Sequence, residues 1–506
     1  MEKIKELRSL AKIVSQLKKN NNKIVLCHGT FDLLHIGHIY HFNEAKKNGD
    51  ILIVSVTPDK FINKGPGRPY FNLKERLHTL AALQIVDYVT WNYKKNSTDV
   101  IDAIKPNFYS KGQDYANSKN DITREILNEK NCLKKNKGKF LITHLPTFSS
   151  SKILKNQGLI FTEEQNNFLN LIKKKYSFEE IKKIINKIYN LKILIIGEII
   201  IDEYCFGETL GKSGKDPILM IKKIKDEIYL GGAGAIANHI SDFVKNISLI
   251  TMIGDDKKYE NFIKLKLSRN IDYKYFRKLN SPTIVKKKYL DHITKNKIIG
   301  FYAINDSSIE KKNEKELKKI IDKKLSSKNL ILISDYGHGM INENISQKIL
   351  KNKKFIGLNA QINAANIGLH SINKYSSLDL VIINESELRY ELKNKNAETK
   401  ILMKILSKNK KIKFLVVTRG TNGALMYNSL KNSFFECPAF ANKIVDKIGA
   451  GDAMLPLITL MIYLTKDENL SLFIGSVASA IQVGSMGNSS SVTKNELLKV
   501  IMHLLI

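Results

Sequence analysis

Two histidines three residues apart, His35 and His38, stand in the run 27–50, CHGTFDLLHIGHIYHFNEAKKNGD. The apolar residues Ile24, Val25 and Leu26 lead into Gly29. A turn rich in Phe and Asp follows, then His35-Ile36-Gly37-His38 and a helical pattern through Ala45. This reads as a strand, a tight loop and a helix start. Gly37, between the imidazoles, has no Cβ, so a phosphate can approach the backbone there. The helix N-terminus and two imidazole donors can hold the negative charge that grows during phosphoryl or nucleotidyl transfer.

A second constellation lies far along the chain, Asp446-Lys447-Ile448-Gly449-Ala450-Gly451-Asp452-Ala453-Met454. Glycines flank Ala450 directly ahead of Asp452, and a long apolar helical pattern follows. Successive backbone N–H groups at such a helix start form an anion hole. Asp452 at its lip can accept a hydroxyl proton, which phosphoryl transfer to an alcohol requires. A bare Gly-Ala-Gly-Asp also serves as a loop with an N-cap Asp.

The elements that must position these groups read in two blocks. Residues 51–56 (ILIVSV) form a continuous apolar strand, as in a parallel sheet covered on both faces. Residues 64–69 are a basic Gly/Pro loop, 73–83 a helix carrying Arg76, and 87–90 and 140–145 short strands. Strand and helix alternate over 1–157, which predicts one doubly wound α/β domain. Residues 158–190 carry two helical patterns with almost no Gly or Pro and read as a helical connector. A second domain, 191–506, opens with LKILIIGEIIIDEY, read as one buried strand ending at Asp202 and Glu203. It continues with a Gly-rich helix start at 231–235 and short apolar strands at 247–253, 330–335, 355–358, 378–383 and 414–418. A β-hairpin is predicted around 283–303.

Composition sets the limits. The chain has 506 residues, too many for one core. Its net charge of +33, from 82 Lys+Arg against 49 Asp+Glu, is scattered without a like-charge tail. That favours solvated basic surfaces and phosphorylated small substrates over nucleic acid. Four dispersed cysteines without a CxxC suit a reduced compartment and no zinc site. The amphipathic N-terminus is not a signal peptide, and no apolar run nears the roughly 20 residues of a membrane span. A cytoplasmic location without a membrane partner is expected.

The first block resembles the HxGH nucleotidyltransferases, closest to their cytidylyltransferase-like branch, through GTFDLLHIGH. The segments RPYFNLKERL, AALQIVDYV, KGQDY and TFSSSKI match heptose 1-phosphate adenylyltransferases in the same order. The resemblance implies that His35 and His38 stabilise the triphosphate and that Lys46 neutralises phosphate. It places Gly29, Thr30 and Phe31 beside the nucleotide. Arg76, Ser149, Ser150 and Ser151 would face its phosphates, with Lys111 and Asp114 near the sugar phosphate.

The second block resembles ribokinase-like (PfkB-type) sugar kinases through IYLGGAGAIAN, NESE and DKIGAGDAM. That implies Asp452 as catalytic base and Gly449, Ala450 and Gly451 as the anion hole. Thr418, Gly420 and Gly423 would approach ATP. Asp202, Gly232 and Asn238 would hold sugar hydroxyls, and Asn384 and Glu387 would organise Mg²⁺ indirectly. The hairpin around 283–303 would be a small β lid and a homodimer contact. Two features depart from the bifunctional heptose enzymes. The transferase precedes the kinase, and Leu358-Asn359-Ala360-Gln361 replaces the Asp-Pro-Lys after that strand, with Lys286, Lys287 and Lys288 in the lid.

The resulting expectation is an α/β bifunctional enzyme. The kinase would phosphorylate a sugar or sugar phosphate, with heptose 7-phosphate at C1 leading. The transferase would convert sugar 1-phosphate and ATP or CTP to an NDP-sugar and pyrophosphate, both steps with Mg²⁺. A cytidylyltransferase and kinase for another sugar or polyol phosphate is the runner-up. A tRNA ligase would need an anticodon-binding region, which is not evident, and a nucleotide sensor would not need His35, His38 and Asp452 intact.

Overall fold

A computed structural model describes residues 2–62, 68–112, 125–143, 161–362, 366–367, 370–441 and 444–505. The chain divides into two compact units, Met1–Glu163 with Leu498–Ile506, and Glu164–Leu497.

The first unit is built on five parallel strands, β1 (Ile24–Gly29), β2 (Ile51–Val56), β3 (Tyr88–Trp91), β4 (Phe108–Gly112) and β5 (Lys139–Thr143). Their order in the sheet is β3-β2-β1-β4-β5. Alternation along β1 explains the two layers. Val25 and Cys27 pack with Phe42, Leu77 and Leu80 of the helices Ile36–Lys46 and Leu73–Ala81. Ile24 and Leu26 pack with Leu10, Val14, Val100, Ile101 and Leu133 on the opposite face. The strand order reverses between β1 and β4, and in doubly wound sheets the ligand crevice opens at the carboxyl ends of such strands. Gly29 and Lys111 stand at those two ends.

The second unit holds two sheets. Its strands in chain order are β6 (Lys192–Gly197), β7 (Ile199–Lys212), β8 (Leu219–Gly232), β9 (Asn246–Gly254), β10 (Ile271–Lys278), β11 (Val285–Asp291) and β12 (Lys297–Ala303). Then follow β13 (Leu330–Asp335), β14 (Phe355–Ala360), β15 (Leu380–Asn384), β16 (Phe414–Thr418), β17 (Ala424–Asn428) and β18 (Ser433–Cys437). Nine form the central sheet in the order β10-β9-β6-β13-β14-β15-β16-β17-β18, the last two joining antiparallel. Four form a lid sheet in the order β12-β11-β7-β8. The apolar helix Ala450–Thr465 is buried from Ala453 to Ile462, and its Pro456 offers no N–H to the carbonyl of Asp452.

Two expectations change here. The run from 191 is not one strand. The chain leaves the central sheet at Gly197, turns at the buried Glu198 and continues as β7 of the lid. The lid is also larger than a hairpin at 283–303, because β7 and β8 supply two 14-residue strands. The break at Gly197 was hidden by the unbroken apolar run, which a buried strand and a strand-turn-strand share, and β8 was missed because its sequence, LMIKKIKDEIYLGG, is mixed and largely exposed. The helices Glu163–Lys175 and Phe178–Lys187 were expected to connect the domains. The first packs inside this unit: Phe168 lies 6.3 Å from the rings of Phe440 and Phe473, and Gln165 Nε2 donates to the Ala439 carbonyl at 2.6 Å.

Gly197 marks the exit to the lid. A Cβ there would lie 2.2 Å from the Ser334 carbonyl oxygen of the neighbouring β13. Gly197→Ala therefore has to part β6 from β13. A loss of about 1–3 kcal/mol is expected in denaturant unfolding of the full chain; an unchanged midpoint would contradict this packing.

Candidate active sites

In the first unit His35 is the N-cap of Ile36–Lys46 and His38 its third residue. They close a reciprocal capping box, with the His35 N–H donating to His38 Nδ1 at 3.4 Å. A neutral His38 that accepts at Nδ1 carries its proton on Nε2, an N–H donor for an anion. The two rings stack at 3.9 Å, and Phe31 meets His38 edge-on at 5.5 Å. Phe31 adopts φ +46°, and its ring lies against Gly29, where a Cβ would come within 3.0 Å of it. Burial holds His35 below its ordinary pKa, so its imidazole is neutral at neutral pH.

Buried cations brace the loop that carries these rings. Arg76 is buried, and its guanidinium donates to the carbonyls of Thr30, Thr57 (2.9 Å) and Phe71 (3.0 Å) and to Asp59 Oδ1 (2.5 Å). Asp32, also buried, pairs with Arg68 and accepts the N–H groups of Tyr70 (2.7 Å) and Phe71 (2.9 Å). Lys46 is not brought to the histidines. It ends the 11-residue helix that they start, about 15 Å along the axis, and pairs with Asp87 and the Asp50 carbonyl. Asp114, Ser149, Ser150 and Ser151 lie outside the described residues, as does most of the basic loop 64–69.

Lys111, expected near the sugar phosphate, belongs to a buried network whose other members the sequence reading missed. Lys111 stands 3.4 Å from Glu129 Oε2. Burial pushes the Glu129 carboxyl up, but Lys111, His28 and donors from Ser97 outweigh it and hold the group at about 2. His28 is held at about 3 by burial and by Lys111, between Ser55 (3.1 Å) and Thr57 (3.2 Å). His41 lies 2.8 Å from Thr143 Oγ1, with burial lowering it to about 4. The spacing of His41, one helical turn after His38, was the available signal.

In the second unit Gly449 adopts φ +87° as N-cap of Ala450–Thr465, and a Cβ there would lie 2.2 Å from Asn488 Oδ1. A side chain at Gly451 would meet nothing within 4 Å, so the turn is open on that side. Asp452 accepts the Tyr336 hydroxyl at 2.8 Å. Burial raises its carboxyl to about 6, Tyr336 opposing and Asp202 adding to the shift. Asp202 is buried and pairs with Lys288 at 2.6 Å, and Gly231 leaves room for it. Asp446, which opens the second constellation but was given no role there, binds Tyr204 (2.8 Å) and Lys297 (2.7 Å) of the lid, Ile448 N–H (3.2 Å) and Gly487 N–H (3.2 Å).

Other expected positions serve the frame. Gly232, φ +59°, starts the helix Ala233–Ile240 where a Cβ would strike the Glu198 carbonyl at 2.4 Å. The Asn238 amide is committed to Lys266 (2.9 Å) and Ser268 (3.0 Å). Asn384 and Glu387 form a capping box, and burial raises Glu387 to about 7. Thr418 registers beside Asn384 at the ends of β16 and β15. Gly420 has open space, whereas Gly423, φ +75°, faces the Cys437 carbonyl. Both Glu387 oxygens already accept backbone N–H groups, from Asn384 and Ile362. Among the described residues no three His, Cys, Asp or Glu side chains converge on a point. An all-protein magnesium cage does not fit. That ion ordinarily arrives with phosphates and keeps several waters.

Residues 190–495 match the model of pfkB family carbohydrate kinases, and residues 26–156 the cytidylyltransferase-like model. The Bifunctional protein HldE of Helicobacter acinonychis (strain Sheeba) is 26% identical over 309 residues, 59% of this chain and 64% of that protein. The same-named protein of a Nitratiruptor species is 22% identical over 304 residues, 59% and 63%. These matches span less than two thirds of either relative. Phosphofructokinase-2 from Escherichia coli in complex with potassium superposes with TM-score 0.50 at 15% identity, over 62% of this chain and 99% of that one, a likeness of fold. No helix among the described residues is long and apolar enough to cross a membrane.

The Arg76 geometry separates two roles. If it braces the loop, Arg76→Met strands three carbonyls and costs about 2–4 kcal/mol, with half-exposed Asp59 adding little. If it only meets phosphate, stability is unchanged. Urea unfolding of the full chain decides.

Proposed function

Because the chain belongs to the pfkB family of carbohydrate kinases and carries a cytidylyltransferase-like domain ahead of that kinase domain, we propose that it is a bifunctional enzyme of activated-sugar synthesis. The second unit phosphorylates a sugar phosphate at its anomeric hydroxyl, with heptose 7-phosphate and ATP as the leading pair. The first unit joins a sugar 1-phosphate to the nucleotidyl group of ATP or CTP and releases pyrophosphate. The shared names of the HldE relatives support this pairing. The Leu358-Asn359-Ala360-Gln361 departure favours, as a second reading, the same two reactions on a different sugar or polyol phosphate. Magnesium enters with the nucleotide phosphates. A homodimer through the lid and a reducing, cytoplasmic compartment complete the proposal.

The observation that carries it is the placing of Asp452. Its carboxyl sits one turn inside a helix whose open start presents N–H groups to an incoming phosphoryl group. The acceptor hydroxyl gives its proton to Asp452 as its oxygen attacks the γ-phosphorus, and ADP leaves. Tyr336 fixes the carboxylate, and Asp202 lies close by to bind acceptor hydroxyls. In the first unit, the sugar 1-phosphate oxygen attacks the α-phosphorus. Charge on the phosphate oxygens then meets the helix start, His38 Nε2–H and His35. Arg76 and Asp32 act as positioning residues.

Asp452→Asn should lower ADP release about 10²–10⁴-fold and leave pyrophosphate release from a supplied sugar 1-phosphate intact. A base works ionised, so with its carboxyl at about 6 the wild-type kinase kcat/KM should rise about tenfold per pH unit below 6 and level off above it. A profile flat from pH 5 to 7, or near-normal turnover of the Asn variant, removes Asp452 as the base.

His38→Ala should lower the transferase kcat about 10²–10³-fold with a smaller change in the nucleotide KM. Its lost capping bond costs stability as well, about 1 kcal/mol. Melting temperature measured beside kcat separates the two effects. A destabilised enzyme with normal kcat would refute the charge-stabilising role.

A further inference from the structure

The inner face of the lid carries two lysines that are treated differently. Along β11, Lys286 and Lys288 point the same way, two residues apart, toward the face of β7 that bears Asp202 and Tyr204. Lys288 is neutralised by Asp202 at 2.6 Å and rests over the Tyr204 ring. Lys287, on the other face, lies 3.6 Å from Glu203. Lys286, half-buried, makes neither hydrogen bond nor ion pair among the described residues. Its ammonium is held over two rings, Tyr336 at 5.4 Å and Tyr302 at 5.8 Å. Tyr336 is the residue whose hydroxyl binds Asp452, so this cation stands beside the catalytic carboxyl.

A second buried group is left open in the same neighbourhood. His338 is fully buried, two residues after Tyr336. Its Nδ1 lies 2.7 Å from Asp306 Oδ1, which fixes the proton on that nitrogen. Its Nε2 is buried and has no hydrogen-bond partner among the described residues. A buried acceptor without a donor is costly unless a ligand supplies one. Lys286 is close enough to His338 to depress its pKa, after burial and against Asp306.

We propose that Lys286 selects the kinase's acceptor by pairing with an anionic group on it, while His338 Nε2 accepts a hydroxyl of the same molecule. This rests on the reading of the second unit as a sugar kinase. Strand β11 and two rings fix Lys286, and Asp306 fixes His338, before any substrate arrives, so little ordering remains to be done on binding. Lys288 cannot share the role while Asp202 holds it. The anion is a phosphate monoester or a carboxylate, both of which an ammonium recognises as a point charge.

The test compares full-length wild type, Lys286→Met, Lys286→Arg and His338→Asn. The acceptors are hexose 6-phosphates and heptose 7-phosphate, the matching sugar acids and the matching free sugars. ADP release gives KM and kcat, and thermal shift gives binding without turnover. Lys286→Met is expected to raise KM for the preferred anionic class about 10–100-fold, leaving the ATP KM and the free-sugar KM unchanged, with Arg restoring most of the loss. Whether phosphates or sugar acids lose the most names the anion. His338→Asn, which keeps a donor for Asp306, should raise KM severalfold for charged and free acceptors alike.

A Met variant that loses all three classes equally, or a wild type that prefers free sugars, overturns the Lys286 assignment. An unchanged acceptor KM in His338→Asn overturns the His338 part. If no acceptor releases ADP, the kinase reading fails. The Lys286 assignment then fails separately if sugar phosphates and sugar acids stabilise wild type and Lys286→Met equally.

Discussion

The carboxylate of Asp446 joins what would otherwise be separate parts of the second unit. It is buried, and its donors come from β7, from β12 and from the backbone N–H groups of Ile448 and Gly487. Burial alone would push this carboxyl up, but Lys297 and Tyr204 hold it below its ordinary value. A buried charge with several donors is stable only while all are in place. The geometry of the Gly449 turn therefore depends on the lid being seated. Asp452, three residues into the helix, inherits its position from the same constraint. Asp446 is held toward its charged form by its donors, whereas burial, with Asp202 nearby, raises Asp452 to about 6.

The first unit meets the same need with the sign reversed. Its loop is short and carries Phe31 in a left-handed conformation that L side chains rarely adopt. The buried guanidinium of Arg76 collects the carbonyls that such a loop leaves over, and Asp32 collects the N–H groups on the other side. The stacked imidazoles stand at the helix cap, with Phe31 edge-on to His38. Both units thus use buried charges to hold backbone posture and leave His35, His38 and Asp452 partly exposed.

Much of this was legible in the sequence, because local signals coincide there. The His35 and His38 pair, the glycines before Asp452 and the apolar strands each declare themselves within a dozen residues. Long-range partnerships do not. Nothing in the string places Lys297 beside Asp446, 149 residues on, or Arg76 against Thr30 and Thr57. The break at Gly197 was invisible because ILIIGEIII is apolar on both sides of the turn. Lys46 was drawn toward the site by motif likeness, although a helix of that length carries it to the far end. Asn384 and Glu387 show a single pattern that serves equally as a cap and as part of a phosphate site, and only partners can separate the two.

The strand Lys297–Ala303 has one feature whose consequence concerns handling more than catalysis. It is the outer strand of the lid, every residue of it is exposed, and Ile298, Ile299, Phe301 and Tyr302 lie along it. Its outer edge pairs with no other strand among the described residues and forms a template that another extended chain can extend. The same strand supplies Lys297 to Asp446, so it cannot be recoded freely to suppress stickiness. Within this strand, a polar residue can replace Ile299 or Phe301 without removing the Lys297–Asp446 ion pair that seats the lid.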